Sequence, residues 1–204
     1  MKEHPILFST PMVKALLEGR KTQTRRIIKP QGRAVCFDVA MHKDGSDKWP
    51  RNLDADERYI SDMNCPYGKV GDILWVRETW GLDYFGYARP WHFKEGIKVE
   101  QRDIIYRADD EDRDKRFLLD ESWKPSIFMP RAACRIRLEI IDIKVERVQN
   151  ITDEDSLAEG VLMNQNIFST GELKEAYKQL WCKINGSESW NKNPWVWVIE
   201  FKQI

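Results

Sequence analysis

The chain has few histidines and few cysteines, and their sequence spacing matches no metal-binding pattern. Cys36, Cys65, Cys134 and Cys182 form no CxxC pair, and His4, His42 and His92 complete no zinc-ligand spacing with them. Zinc-site spacing is therefore absent, and no metal or organic cofactor is implied. Long apolar runs are also lacking: no segment approaches the roughly 20 apolar residues that span a bilayer, and the first residues hold no signal-peptide core. The chain thus reads as a soluble, reduced, cytoplasmic protein with no membrane partner. A net charge is missing too, with 33 basic against 33 acidic side chains, so a general nucleic-acid coat is excluded and any attraction to phosphate must be local.

Locally, that charge is present. Residues 1–30 hold Lys2, Lys14, Arg20, Lys21, Arg25, Arg26 and Lys29 against Glu3 and Glu18. The acidic run Asp109–Asp112 reads as a solvated loop. At 204 residues with 42% hydrophobic side chains, the chain suits one domain, 1–204, carrying insertions.

Periodicity outlines the elements. Ile6–Phe8 is a short apolar strand. Ser9-Thr10-Pro11 opens a helix in which Met12, Ala15 and Leu16 recur at helical spacing, and Gly19 closes it as a left-handed cap. Lys21 to Ile28 favours a strand that Pro30 ends. Residues 31–70 show little period and read as a long irregular insertion. Residues 73–80 alternate, with Leu74, Val76, Glu78 and Trp80 on one face, where the carboxylate is the anomaly. A second insertion covers 81–130. Arg135 to Val148 predicts a long strand or a bent hairpin. Thr152 and Asp155 predict a capping box before a short helix, Glu172–Ile184 a longer helix, and Trp195–Phe201 a central strand. The sum is α+β, suiting a small mixed barrel with short flanking helices better than a doubly wound sheet.

Four motifs then occur in order: Gly19-Arg20-Lys21-Thr22-Gln23-Thr24-Arg25, Gly71-Asp72-Ile73-Leu74-Trp75-Val76-Arg77-Glu78, Ala158-Glu159-Gly160 and Val198-Ile199-Glu200-Phe201. Together they resemble the ASCH domain, and the two insertions resemble those of the longer ASCH proteins of phages and prophages. The resemblance implies a PUA-like β-barrel whose cleft receives RNA or a modified nucleoside, in a host cytoplasm if the chain is phage-encoded. Some small ASCH members are amidohydrolases that deacylate N4-acetylcytidine, and others are reported to cleave RNA. Their lysine, threonine and glutamate fall on Lys21, Thr24 and Glu159.

The residues allow two assignments for that set. Lys21 serves as base to a Thr24 nucleophile if burial and Arg25 and Arg26 lower its pKa, or it anchors an oxyanion while Glu159 activates water. Lys21 and Thr24, three apart, face opposite sides of an ideal strand, so a turn or bulge must bring them together. The plainer alternative is an exposed basic strand face. Binding roles are expected for Arg25, Arg26 and Arg131 on phosphate and for Trp80 and Trp123 under a base, with Glu78 either in the site or paired with Arg131 or a cross-strand neighbour of Arg77. The competing functions are a non-catalytic RNA-binding module, a ribonuclease and a phage-encoded protein-interaction factor.

Overall fold

The computed structural model describes residues 1–32, 36–41, 48–82, 104–109, 122–162 and 171–204. In chain order the elements are β1 (Glu3–Leu7), α1 (Thr10–Leu17), β2 (Gln23–Ile27), β3 (Cys36–Met41), β4 (Lys48–Leu53), β5 (Tyr59–Asp62), β6 (Ile73–Arg77), β7 (Trp80–Leu82), β8 (Ile104–Tyr106), β9 (Arg137–Arg147), α2 (Asp153–Ala158), α3 (Glu172–Asn185) and β10 (Trp195–Gln203). The protein is α+β, mostly strand with few helices, and among the described residues its sheets do not close into a barrel. The described residues form two compact units: Met1–Gly19 with Asp72–Glu139 and Gln203–Ile204, and Arg20–Gly71 with Ile140–Lys202. Among the described residues no helix is long and apolar enough to cross a membrane.

In the first unit β6 lies between β1, which runs parallel to it, and the first residues of β9, which run antiparallel. Alternation sends Ile6, Leu74, Val76 and Leu138 to one side, where all four are buried. In α1 the buried residues are Val13, Ala15 and Leu16, so Val13 takes the inward position that the sequence assigns to Met12. Ser9 is the N-cap through its backbone alone, since its side chain makes no capping bond. The helix ends as expected at Gly19, whose φ of 71° is a left-handed conformation that a Cβ would strain. A second cluster joins Trp80 and Leu82 of β7 to Ile104 and Tyr106 of β8, with Met129 and Ala133. The described parts of the second predicted insertion therefore help build a core.

In the second unit β10 lies between β9 and β2. Val196 to Ile199 are all buried, which explains why that segment is apolar at every position. The region 31–70, expected to be irregular, contains instead the antiparallel meander β3-β4-β5. Its strands are short, and half-exposed residues occupy every other position of β4, so no clean apolar period marks them. The meander is tied in by Trp49, which meets Trp197 edge-on at 5.1 Å between ring centres and donates its indole N–H to the Met63 carbonyl at 2.7 Å. Helix α3 buries Leu173, Tyr177 and Trp181, the last two packing with Val148, Ile151, Trp190, Val196 and Val198. The region 135–148 resolves to a single strand of 11 residues rather than a bent hairpin.

The capping box of α2 forms as predicted: the Thr152 hydroxyl accepts from the Asp155 N–H at 3.1 Å and the Asp155 carboxylate accepts from the Thr152 N–H at 3.2 Å. Glu159 follows as the C-cap, donating its N–H to the Asp155 carbonyl at 2.8 Å. Gly160 turns the chain away at φ 88°.

Candidate functional site

Residues 20–22 are pinned to the end of α2. The Thr22 N–H donates to the Ala158 carbonyl at 2.8 Å, the Arg20 guanidinium donates to the Gly160 carbonyl at 3.0 Å, and the Phe201 N–H donates to the Thr22 carbonyl at 2.9 Å. This docking drives the Lys21 side chain inward, where it is 0% exposed. Its Nζ donates to the Gln23 carbonyl at 2.7 Å, the Glu159 carbonyl at 2.8 Å and Glu159 Oε2 at 2.9 Å. Burial pushes the Lys21 pKa down, the Glu159 carboxylate pushes it back up, and Arg26 and Arg25 add to the lowering. Three acceptors for three N–H donors fit an ammonium, because a neutral amine has only two N–H bonds and a lone pair with nothing to accept.

Arg25 shares the carboxylate. Its Nη1 lies 3.4 Å from Glu159 Oε1 and against the Gln23 side-chain oxygen, while its Nη2 reaches Glu146 Oε1 at 2.8 Å and Asp155 Oδ2 at 3.0 Å. Burial works against this cation, but Glu159 and its other anionic neighbours leave its pKa raised. Lys21 and Arg25 therefore face Glu146, Asp155 and Glu159, two cations among three carboxylates. Two expectations change. The basic stretch is not an exposed strand face, since Lys21, Gln23, Thr24 and Arg25 are buried, and Arg26 is half-buried. Arg25 is not held ready for a phosphate, because its side chain is 0% exposed and its two terminal nitrogens are engaged by buried or half-buried carboxylates.

Thr24 stands apart. The register of β2 with β10 runs unbroken from Gln23 opposite Glu200 to Ile27 opposite Val196, so no bulge rotates one residue past another. Gln23 and Arg25 share the side that meets Glu159, and the Gln23 amide donates to Glu200 at 3.1 Å on that side. Alternation sends Thr24, with its partner Ile199, to the other side. Among the described residues no hydrogen bond joins the Thr24 hydroxyl to Lys21 or Glu159.

Three neighbours were not visible as site residues in the sequence. Glu146 reads as one polar position of an alternating strand, Asp155 as a helix cap, and Tyr177 as part of an apolar helix stripe. Tyr177 is buried, and its phenol pKa is raised well above the ordinary value by burial first and by Glu159 next.

Asp155 links the cap to the charge cluster. Burial raises its pKa, but the Thr152 N–H and Arg25 outweigh that and hold it below the ordinary 3.8. A carboxylate with a depressed folded-state pKa adds stability above its unfolded value and loses it as pH falls through the folded one. The stability of wild type should thus decline below about pH 4, and Asp155→Asn should flatten that decline in urea unfolding followed across pH. Identical acid limbs would show that Asp155 is not linked to folding.

The remaining expected residues lie in the first unit. Glu78 is buried and forms a two-pronged pair with Arg135, Nε to Oε1 at 2.9 Å and Nη2 to Oε2 at 3.0 Å. Burial pushes the Glu78 pKa up, and Arg135 opposes this. The partner is therefore Arg135, not Arg131. Arg135 also bonds Asp109 at 2.7 Å and lies 3.9 Å from the ring centre of Tyr106, whose hydroxyl donates to the Ala133 carbonyl at 2.7 Å. With every group satisfied, this cluster locks strands together. Arg131 pairs with Glu3 at 2.7 Å. Trp80, expected beneath a base, is only 4% exposed and belongs to the core, because β7 turns its ring inward against Tyr106 and Met129. Trp123 is half-buried. No family model, curated protein or solved structure matches this chain.

Proposed function

We propose that this is an ASCH-like protein of PUA-like fold which takes an uncharged modified nucleoside at the Lys21–Glu159 pair and hydrolyses its N4-acyl amide. The observation that carries the reading is the buried cluster of opposite charges around that pair. A cluster with two cations among three carboxylates offers no net attraction to a phosphodiester, so a neutral nucleoside suits it better than an RNA backbone. Burying such charges is expensive, and a buried, perturbed ion cluster is a recognised mark of a chemical site.

Of the two assignments open to Lys21 and Glu159, the hydrogen bonding favours the second. Lys21 is held as an ammonium with its three N–H bonds occupied, so it acts through its positive charge on the oxyanion formed at the acyl carbonyl and not by a hydrogen bond to it. Glu159 accepts a proton from the attacking water and returns it to the departing N4 amine as the carbon–nitrogen bond breaks. The products are a carboxylic acid and the free cytidine amine. Glu146 and Asp155, each 22% exposed, form the rim by which a ligand approaches, and Arg25 holds Glu159 in place.

The test is release of acetate from N4-acetylcytidine, with folding followed by circular dichroism. Wild type should turn over, Glu159→Gln should lose about 10²-fold or more, and Thr24→Ala should retain most turnover because Thr24 occupies the far side of β2. Loss of turnover in a folded Thr24→Ala protein would transfer the attack to the Thr24 hydroxyl, and an inactive wild type would reject the hydrolase reading.

A further inference from the structure

The ladder of β1, β6 and the first residues of β9 in the first unit has a side opposite its buried apolar one. Its register sets Pro5 beside Trp75, Leu7 beside Arg77 and Trp75 beside Arg137, so these residues share the side opposite Leu74 and Val76. Trp75 carries two guanidiniums, Arg77 at 5.4 Å and Arg131 at 5.8 Å from its ring centre. Arg77 also donates to the Ile127 carbonyl, which ties the turn Ser126–Phe128 to this side of the ladder. Met129 anchors that turn in the core, while Phe128 is left 69% exposed.

The charge here is not balanced. Glu3 alone serves two guanidiniums, accepting from Arg131 Nε at 2.8 Å and from Arg137 Nη2 at 2.8 Å. Arg77 adds a third cation, and Glu139 lies at the far end of the side, opposite Ile73. Guanidiniums held beside an indole carry planar N–H forks whose geometry matches phosphate oxygens. An exposed aromatic ring on an anchored turn offers a stacking platform at little entropic cost.

We propose that this side of the first unit binds a single-stranded polynucleotide, with Arg77, Arg131 and Arg137 on successive phosphates and Phe128 stacked on a base. The inference goes beyond the nucleoside reading, shares no residue with it, and stands or falls separately. Glu3 is the electrostatic gate of the surface: it neutralises two of the cations that the phosphates need.

The experiment measures fluorescence anisotropy of a labelled oligouridine of about 12 nucleotides, and of the matching DNA, against the whole protein at several salt concentrations. Wild-type affinity should fall with salt. Phe128→Ala should weaken binding about tenfold without changing the salt slope. Arg77→Gln with Arg137→Gln should reduce the slope of log affinity against log salt by about 1.4, near 0.7 for each lost phosphate contact. Glu3→Gln should strengthen binding, an effect that a purely structural ion pair does not produce. RNA preferred over DNA would identify the ribose hydroxyl as a further contact, and equal binding would identify a backbone reader; both support the site. The proposal is overturned if wild type binds neither oligomer, if the variants match wild type, or if polyglutamate competes as well as RNA, which would make this an acidic-protein surface. Phe128→Ala and Glu3→Gln alter exposed side chains and keep the test valid should the double variant misfold. N4-acetylcytidine turnover, read in parallel, should be unchanged by Phe128→Ala.

Discussion

Glu159→Ala is expected to destabilise the protein by about 3–5 kcal/mol in urea unfolding, the largest effect of any single polar substitution in the second unit. Glu159 is only 4% exposed and receives both the Lys21 ammonium and the Arg25 guanidinium. Its removal leaves two buried cations facing each other with no carboxylate between them, and water has little access to replace it. Arg25 keeps Glu146 and Asp155, so Lys21 bears most of the loss. Adding Lys21→Met to Glu159→Ala should therefore recover part of the stability, with a coupling of roughly 1–3 kcal/mol in the double-mutant cycle. Additive single effects, or a loss under about 1 kcal/mol for Glu159→Ala, would mean that the pair is hydrated in solution. Such a result would also weaken the catalytic proposal, which depends on a cation held out of water.

Trp80→Ala should cost a comparable amount, about 3–5 kcal/mol. The indole fills the space between Tyr106 of β8, Met129 and Ala133, and it connects β7 to residues that arrive from two later parts of the chain. Deleting it opens a cavity that the surrounding strands cannot close, because Tyr106 is held by Ala133 at its hydroxyl and by Arg135 over its ring. Oligouridine affinity measured at a temperature where the variant stays folded should match wild type. A loss below about 1 kcal/mol together with weakened oligonucleotide binding would return Trp80 to the surface role that its sequence neighbourhood suggests.

That contrast between Trp80 and Phe128 shows where reading the chain residue by residue stops. Trp80 lies beside charged residues and has the sequence argument for stacking, whereas Phe128 lies in the apolar stretch Ile127–Pro130 and has none. The pairing of β7 with β8 turns Trp80 inward, and the Ser126–Phe128 turn holds Phe128 out. The same holds for Glu78. Its place on an apolar face marks it as an anomaly that calls for a cationic partner, but that partner, Arg135, comes from 57 positions away and no local pattern distinguishes it from Arg131.

What the sequence by itself determined is what depends on near neighbours: the strand of alternating residues at Ile73–Arg77, the apolar β10, the Thr152–Asp155 cap, the left-handed end of α1 at Gly19, and the concentration of lysine, threonine and arginine after it. Each rests on backbone preferences or hydrogen bonds spanning a few residues, so the local order of residue types suffices. Only the tertiary structure decided which of those side chains are buried and which charges meet. Lys21 finds Glu159 across 138 residues and Arg25 finds Glu146 across 121, placing the cations of an apparently basic stretch among buried carboxylates. The free energy of those contacts comes from excluding water around groups brought together by chain topology, and topology is not written in the period of any one segment.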